Sequence, residues 1–107
     1  MVKRGEIYWA DLGGDAGRRP VCVVTRDAAI EVLTSVTCAP ITRTTRKIRS
    51  EVELSVEEGL PEACVINSDN LVTIPKSLLD DEPVGRLGPE KRMALDLALR
   101  FSLDIQF

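Results

Sequence analysis

Gly17-Arg18-Arg19-Pro20-Val21-Cys22-Val23-Val24-Thr25 sets two guanidinium groups where a glycine-rich loop gives way to an apolar run. Every residue from Val21 to Thr25 is apolar or β-branched, so the run reads as a buried strand. Pro20 fits only at the start of such a strand, because it cannot donate to a ladder. Arg18 and Arg19 then stand at the mouth of a loop anchored by a stiff core strand. Binding or catalytic cations are commonly held in such places. Two solvated loop arginines are the bland alternative, and the run alone leaves both open.

The 107 residues suffice for one domain, spanning 1–107, with one modest core. No N-terminal signal pattern and no apolar run of membrane-spanning length is present, so a cytoplasmic protein is expected. Cys22, Cys38 and Cys64 lie among strand-like apolar neighbours and form no C-x-x-C pair. They read as reduced core thiols, not as metal ligands. The chain contains no histidine. That excludes histidine acid/base chemistry, Ser-His and Cys-His nucleophiles and the usual zinc sites.

Charge is divided unevenly along the chain. Residues 1–50 hold nine Lys/Arg against five Asp/Glu, and residues 51–107 hold five against twelve. A basic half on an acidic protein points to an anionic ligand on one surface. The densest cationic stretch is Arg43-Thr44-Thr45-Arg46-Lys47-Ile48-Arg49, inside a segment from Val32 to Ser50 without an acidic residue. Such a run is usually a solvated loop. Here it follows a threonine-bearing strand end in a basic half, which favours phosphate contact.

Around these features the chain reads as short strands followed by one helix. Glu6–Leu12 is a first strand, and Leu12–Gly17 a three-glycine loop without the Lys-Ser/Thr of a phosphate loop. Trp9 and Tyr8 are expected in or beside the core. Arg26–Ile30 forms a short helical turn, and Leu33–Thr42 a strand whose Pro40 predicts a bulge or an edge. Glu51–Ser55 alternates as a half-exposed strand. A turn at Glu58–Pro61 leads to a buried strand at Ala63–Asn67, and Ser68–Ile74 continues it with a polar interruption. Val84–Gly88 is at most a small strand.

Pro89–Asp104 is the one strong helix signal, with Pro89 suited to its first turn and Glu90 near its positive end. Arg92, Asp96, Arg100 and Asp104 form a narrow polar stripe, and Met93, Leu95, Leu97, Leu99, Phe101 and Leu103 cover most of the rest. Sheet packing plus a dimer contact would bury so apolar a helix. Fold class is therefore mainly β with a C-terminal helix, as a small barrel or strongly bent sheet.

Five stretches in this order resemble the MazF/PemK (Kid-like) family of toxins from toxin–antitoxin systems. They are Arg4–Leu12, Gly17–Pro20 with its strand, Ala39-Pro40-Ile41-Thr42, Asp69–Ile74, and Val84–Leu87 with the helix. The resemblance implies an SH3-like barrel, a homodimer, a cognate antitoxin that blocks the site, and sequence-specific cleavage of single-stranded RNA without metal or other cofactor. It sets the family's arginine before proline on Arg19 and its strand-end threonine on Thr42. Many relatives carry a non-basic residue at the position of Arg18. This chain also departs at Val72 and Pro75, where relatives often carry a basic and an acidic residue.

Under that resemblance the RNA's own 2′-OH attacks the adjacent phosphate. Arg19 would clamp the scissile phosphate and Thr42 would donate to a non-bridging oxygen. An arginine keeps its proton near neutrality, so its residue type supports charge stabilisation over proton relay. Arg18, Arg43, Arg46 and Lys47 would hold flanking phosphates, and Asn70 would read a base edge. Two other readings share the fold. One is a gyrase-poisoning toxin similar to CcdB, and the other is a catalytically silent RNA-binding barrel.

Overall fold

The computed structural model describes residues 1–106. Seven strands and two helices follow one another as β1 (Glu6–Asp11), β2 (Arg18–Val23), α1 (Asp27–Ile30), β3 (Ser35–Thr42), β4 (Glu51–Leu54), β5 (Cys64–Asn67), β6 (Val72–Pro75), β7 (Gly85–Arg86) and α2 (Pro89–Ser102). The strands pair antiparallel in the order β4-β5-β3-β2-β1-β7, with β6 also on β3. The chain after β6 returns to β1 through an Ala10–Leu79 bridge and a 2.9 Å hydrogen bond from the Asp80 N–H to the Trp9 carbonyl. That return curls the sheet into a half-barrel.

Alternation along the central strands explains the curl. Ile7, Cys22, Ala39 and Ile41 face one core with Val52, Leu54, Ile66, Leu87, Leu95 and Ala98. Tyr8, Ala10, Val21, Val23, Val36 and Cys38 face a second core, closed by Ile30, Ile74 and Leu79. Strands β1 to β3 are thus buried on both sides, which is why Val21–Val24 is continuously apolar. Burial pushes the Cys22 and Cys38 thiols up to about 12, as inert core groups. Leu95 and Ala98 are the fully buried residues of α2. Truncating Leu95 to alanine costs about 2–5 kcal/mol, the usual range for a core leucine.

Three boundaries differ from the sequence expectation, each for a local reason. Strand β2 begins at Arg18, because Arg18 and Arg19 pair with Asp11 and Ala10 of β1. Both arginines are therefore strand residues and not loop residues. Pro20 is tolerated as the third residue since β3 joins the ladder only from Val21. Strand β3 begins at Ser35 and not Leu33, because the N–H groups of Val32 and Leu33 cap α1 at the Ala29 carbonyl. Helix α2 stops at Ser102, before the expected Asp104. There Asp104 takes a left-handed φ of 56°, and Ile105 donates back to Arg100. This is a Schellman ending with aspartate in the usual glycine position.

Strand β3 changes partner partway. Ser35–Cys38 pair with β6 and Ile41–Thr42 with β5, so Pro40 falls at the corner between them. The polar interruption at Ser68, Asp69 and Asn70 is the matching turn, since β5 and β6 run consecutively along the same side of β3. Ser68 pins it, with its N–H bonded to the Ser50 carbonyl and its hydroxyl directed to the carbonyls of Ser50 and Ala98. A second tight spot joins the turn after β4 to β7. Gly59 has a φ of 94°, and a Cβ there would overlap the Val84 carbonyl; a Cβ at Gly85 would overlap the Glu58 carbonyl. Only glycine fits either place.

Candidate active site

The pairing of β2 with β3 ends at Val21–Pro40. Continuing that register by two residues would set Arg19 opposite Thr42, but there the strands have parted and β3 has turned to β5. A cleft opens in the gap. Arg19, Thr42, Ala16 and Ile41 line depressions on both of its sides. On one side they are joined by Trp9, Arg18, Pro20, Arg43, Leu60, Pro61, Glu62 and Cys64. On the other lie Leu12, Pro40, Thr44, Arg46, Asn67, Asn70 and Val72.

The cations differ in what holds them. Arg19 donates from Nε to the Ala16 carbonyl at 3.0 Å and makes no ion pair among the described residues. Arg18 instead grips Asp80 through two bonds of 3.1 and 2.8 Å and lies 5.9 Å over the Trp9 ring. Those bonds hold the Asp80 carboxyl below its usual value and raise the guanidinium's own. Arg43 donates from Nη1 to Glu62 Oε1 at 2.8 Å. Thr42 Oγ1 accepts the Thr44 N–H at 3.2 Å, which leaves its own O–H free to donate into the cleft.

The cationic loop is wrapped around an anion of the chain itself. Glu51 accepts from the Thr45 hydroxyl at 3.1 Å and from the backbone N–H groups of Arg46 and Lys47. Lys47 takes a φ of 54° to bring its N–H into this nest. The loop's backbone is thereby ordered while its side chains stay exposed. Arg46 reaches the second depression; Lys47 does not, and lies beside Arg43, Thr45 and Lys91 on a separate hollow. Asn70 sits in the second depression on the pinned turn, where Ser50 donates its hydroxyl to Asp69 at 2.5 Å. Val72 lines the same side. Pro75 pairs with Ser35 and lines neither depression.

Three cleft residues, Trp9, Glu62 and Cys64, and the Arg18 partner Asp80 escaped the sequence reading. Trp9 is half-buried and forms a wall, while Tyr8 is buried as expected. Glu62 and Asp80 act through partners far away in sequence, which no local pattern discloses. Cys64 packs against the first core as a free thiol but is only partly buried, and it also lines the cleft. Burial and then the carboxylates of Glu58 and Glu62 raise its thiol, the reverse of an activated nucleophile. No cluster of three or more His, Cys, Asp or Glu able to hold a metal ion occurs among the described residues.

Fold and cleft together define a small half-barrel with an arginine-lined gap at its rim and a helix across one face. Residues 3–103 match the PemK-like, MazF-like toxins of type II toxin–antitoxin systems, and the chain belongs to that family. A probable endoribonuclease MazF2 of Mycobacterium tuberculosis is 38% identical over 91 residues, which cover 84% of this chain and 86% of that protein. The solved toxin MazF-mt6 of M. tuberculosis superposes with a TM-score of 0.87 at 34% identity, covering 95% of this chain and 99% of that one. A mycobacterial endoribonuclease solved with its cognate antitoxin gives 0.89 at 26% identity, covering 100% and 99%.

Proposed function

We propose that this toxin is an endoribonuclease that cuts single-stranded RNA at short sequence sites, with the chemistry at Arg19 and Thr42. One observation carries the assignment. At the point where β2 and β3 part, Arg19, whose guanidinium bonds no carboxylate among the described residues, lines both depressions together with the strand-end hydroxyl of Thr42.

The chain is well suited to a cleavage in which the RNA supplies its own nucleophile. The 2′-oxygen bonds to phosphorus as it loses its proton, and the bond to the 5′-oxygen breaks as that oxygen gains one. The products are a 2′,3′-cyclic phosphate and a 5′-hydroxyl. Charge builds on the non-bridging oxygens between these events. The free guanidinium nitrogens of Arg19 and the O–H of Thr42 are placed to receive it. No histidine and no metal is required for that stabilisation. Arg46 holds a flanking phosphate and Asn70 meets a base on the second side, while Lys47 holds a more distant phosphate from its separate hollow. Arg18 and Arg43 are charge-compensated by Asp80 and Glu62, so they orient more than they attract.

Met93, Leu97 and Phe101 leave one face of α2 apolar and exposed, which supports a homodimer through that helix. A cognate antitoxin would act by covering the cleft, in keeping with the neighbour solved in such a complex. The three free thiols suit the reducing cytoplasm.

The test is a cleavage map. Purified toxin with a chelator is incubated with a long, weakly structured RNA, and the new ends are sequenced beside an Arg19→Ala control. Cuts at one short recurring sequence, absent in the control, are expected. Intact RNA, or equal cutting by the control, would sink the assignment.

A further inference from the structure

The first depression contains chemistry that phosphate binding leaves unused. Its walls are apolar, built from Trp9, Pro20, Leu60 and Pro61, and its polar groups include an ion pair. Arg43 and Glu62 touch through a single N–O contact of 2.8 Å. Their side chains are 79% and 54% exposed, so neither is enclosed by protein. Glu62 therefore keeps Oε2 and a further lone pair, and Arg43 keeps its remaining guanidinium donors. Set side by side, the pair presents a donor followed by two acceptors.

We propose that the Arg43–Glu62 pair reads a guanine base flanking the scissile phosphate, an inference that rests on the RNA-cleaving function given above. Guanine offers the complementary edge: an O6 acceptor, then the N1–H and N2–H donors. A carboxylate takes those two donors as parallel hydrogen bonds, and the guanidinium supplies O6. The other bases fit worse. Cytosine carries donor, acceptor and acceptor, which sets its acceptors against the carboxylate. Adenine, through N1 and N6–H, and uracil, through O4 and N3–H, each meet the guanidinium and one carboxylate oxygen and leave the second oxygen without a donor.

The surroundings suit a base taken out of a strand. Trp9, with Arg18 over its ring, gives an unstacked base an aromatic and a guanidinium surface. Arg19 and Thr42 line the same depression, which makes the occupant a neighbour of the bond being cut. The Leu60–Glu62 wall is held by the close approach at Gly59 and Gly85. Glu62 thus becomes a specificity residue, and Arg43 is drawn from general phosphate attraction into base recognition.

Binding separates this assignment from catalysis. The probe is a short oligouridine strand with one central guanosine, 2′-O-methylated throughout so that it cannot be cut, compared with the same strand carrying inosine. Inosine lacks only the N2 amino group. The parent toxin should bind the guanosine strand about tenfold more tightly, the discrimination expected of one hydrogen bond to a charged group. In Glu62→Gln, whose amide places a donor against the guanine donors, the ratio should fall to near one while the melting temperature holds. A ratio near one in the parent, or an unchanged ratio in the variant, overturns the proposal. Cutting of natural RNA without that preference removes the guanine reader and keeps the nuclease. Discrimination without any cutting removes the nuclease and keeps the reader.

Discussion

The rim of the cleft and the loop beside it both present cations, but they are built in opposite ways. Arg19 and Thr42 are placed by strands, with the β1–β2 ladder on one side and the β3–β5 ladder on the other. The cationic stretch Arg43–Arg49 has no ladder at all. Its shape depends on one carboxylate, Glu51, that gathers a hydroxyl and two backbone N–H groups. The strand-borne pair is positioned by the whole core and the loop by a single side chain. Chemistry that needs sub-ångström placement belongs on the former, and attraction of a flexible polyanion is content with the latter.

The largest expected effect breaks the rim. Arg19→Ala should lower the cleavage rate by about two orders of magnitude or more, the scale of a lost oxyanion donor. Circular dichroism should show an unchanged fold, since the side chain is exposed. Rates within a few-fold of the parent would move the chemistry elsewhere. Thr42→Val keeps the shape and deletes the hydroxyl. It should cost about tenfold in kcat, the value of one hydrogen bond to a charged group, with little change in KM. A pure KM effect would make Thr42 a binding residue instead.

The loop should respond differently. Glu51→Gln points an amide N–H₂ at the donors that now converge on the carboxylate, so the nest opens. KM for RNA should rise roughly fivefold with kcat held, because ground-state and transition-state attraction are lost together. A matching fall in kcat would mean that the loop also orders the rim. The smallest effect is expected at the Arg18–Asp80 pair. Asp80→Asn frees one cation, and the slope of log affinity against log salt should steepen by about one. Asp80 is held below its ordinary value of 3.8. Its contribution to stability is therefore present above that value and lost as pH falls below it. Melting curves of parent and variant should converge in acid, and curves that diverge there would contradict the pairing.

Much of the rim could be read from the chain because its causes are local. The run Val21–Val24 is apolar without alternation since both faces of β2 are covered, and Pro40 marked the corner where β3 exchanges partners. The polar residues Ser68, Asp69 and Asn70 announce their own interruption of the strand, and the structure brings Asn70 to the side of the cleft that Thr42 also lines. The starting point of β2 was less legible. A proline after two arginines reads as a boundary, whereas the partner strand draws both arginines into the ladder. Charge partners were the least legible of all. Arg18 meets Asp80 across 62 positions and Arg43 meets Glu62 across 19, and no periodicity couples such distances. Lys47 looked equivalent to Arg46 in the sequence, yet Lys47 takes a left-handed φ and the two line different hollows.

The interlocked backbones at Gly59 and Gly85 carry a consequence for genetics. Expression of an active toxin kills or arrests its host, so surviving colonies are a collection of broken toxins. Any side chain at either glycine must push Val84 or Glu58 aside, and with them the wall that ends in Glu62. Survivors should therefore fall in two clusters, one at Arg19 and Thr42 and another at this seam, where no nucleotide is ever touched.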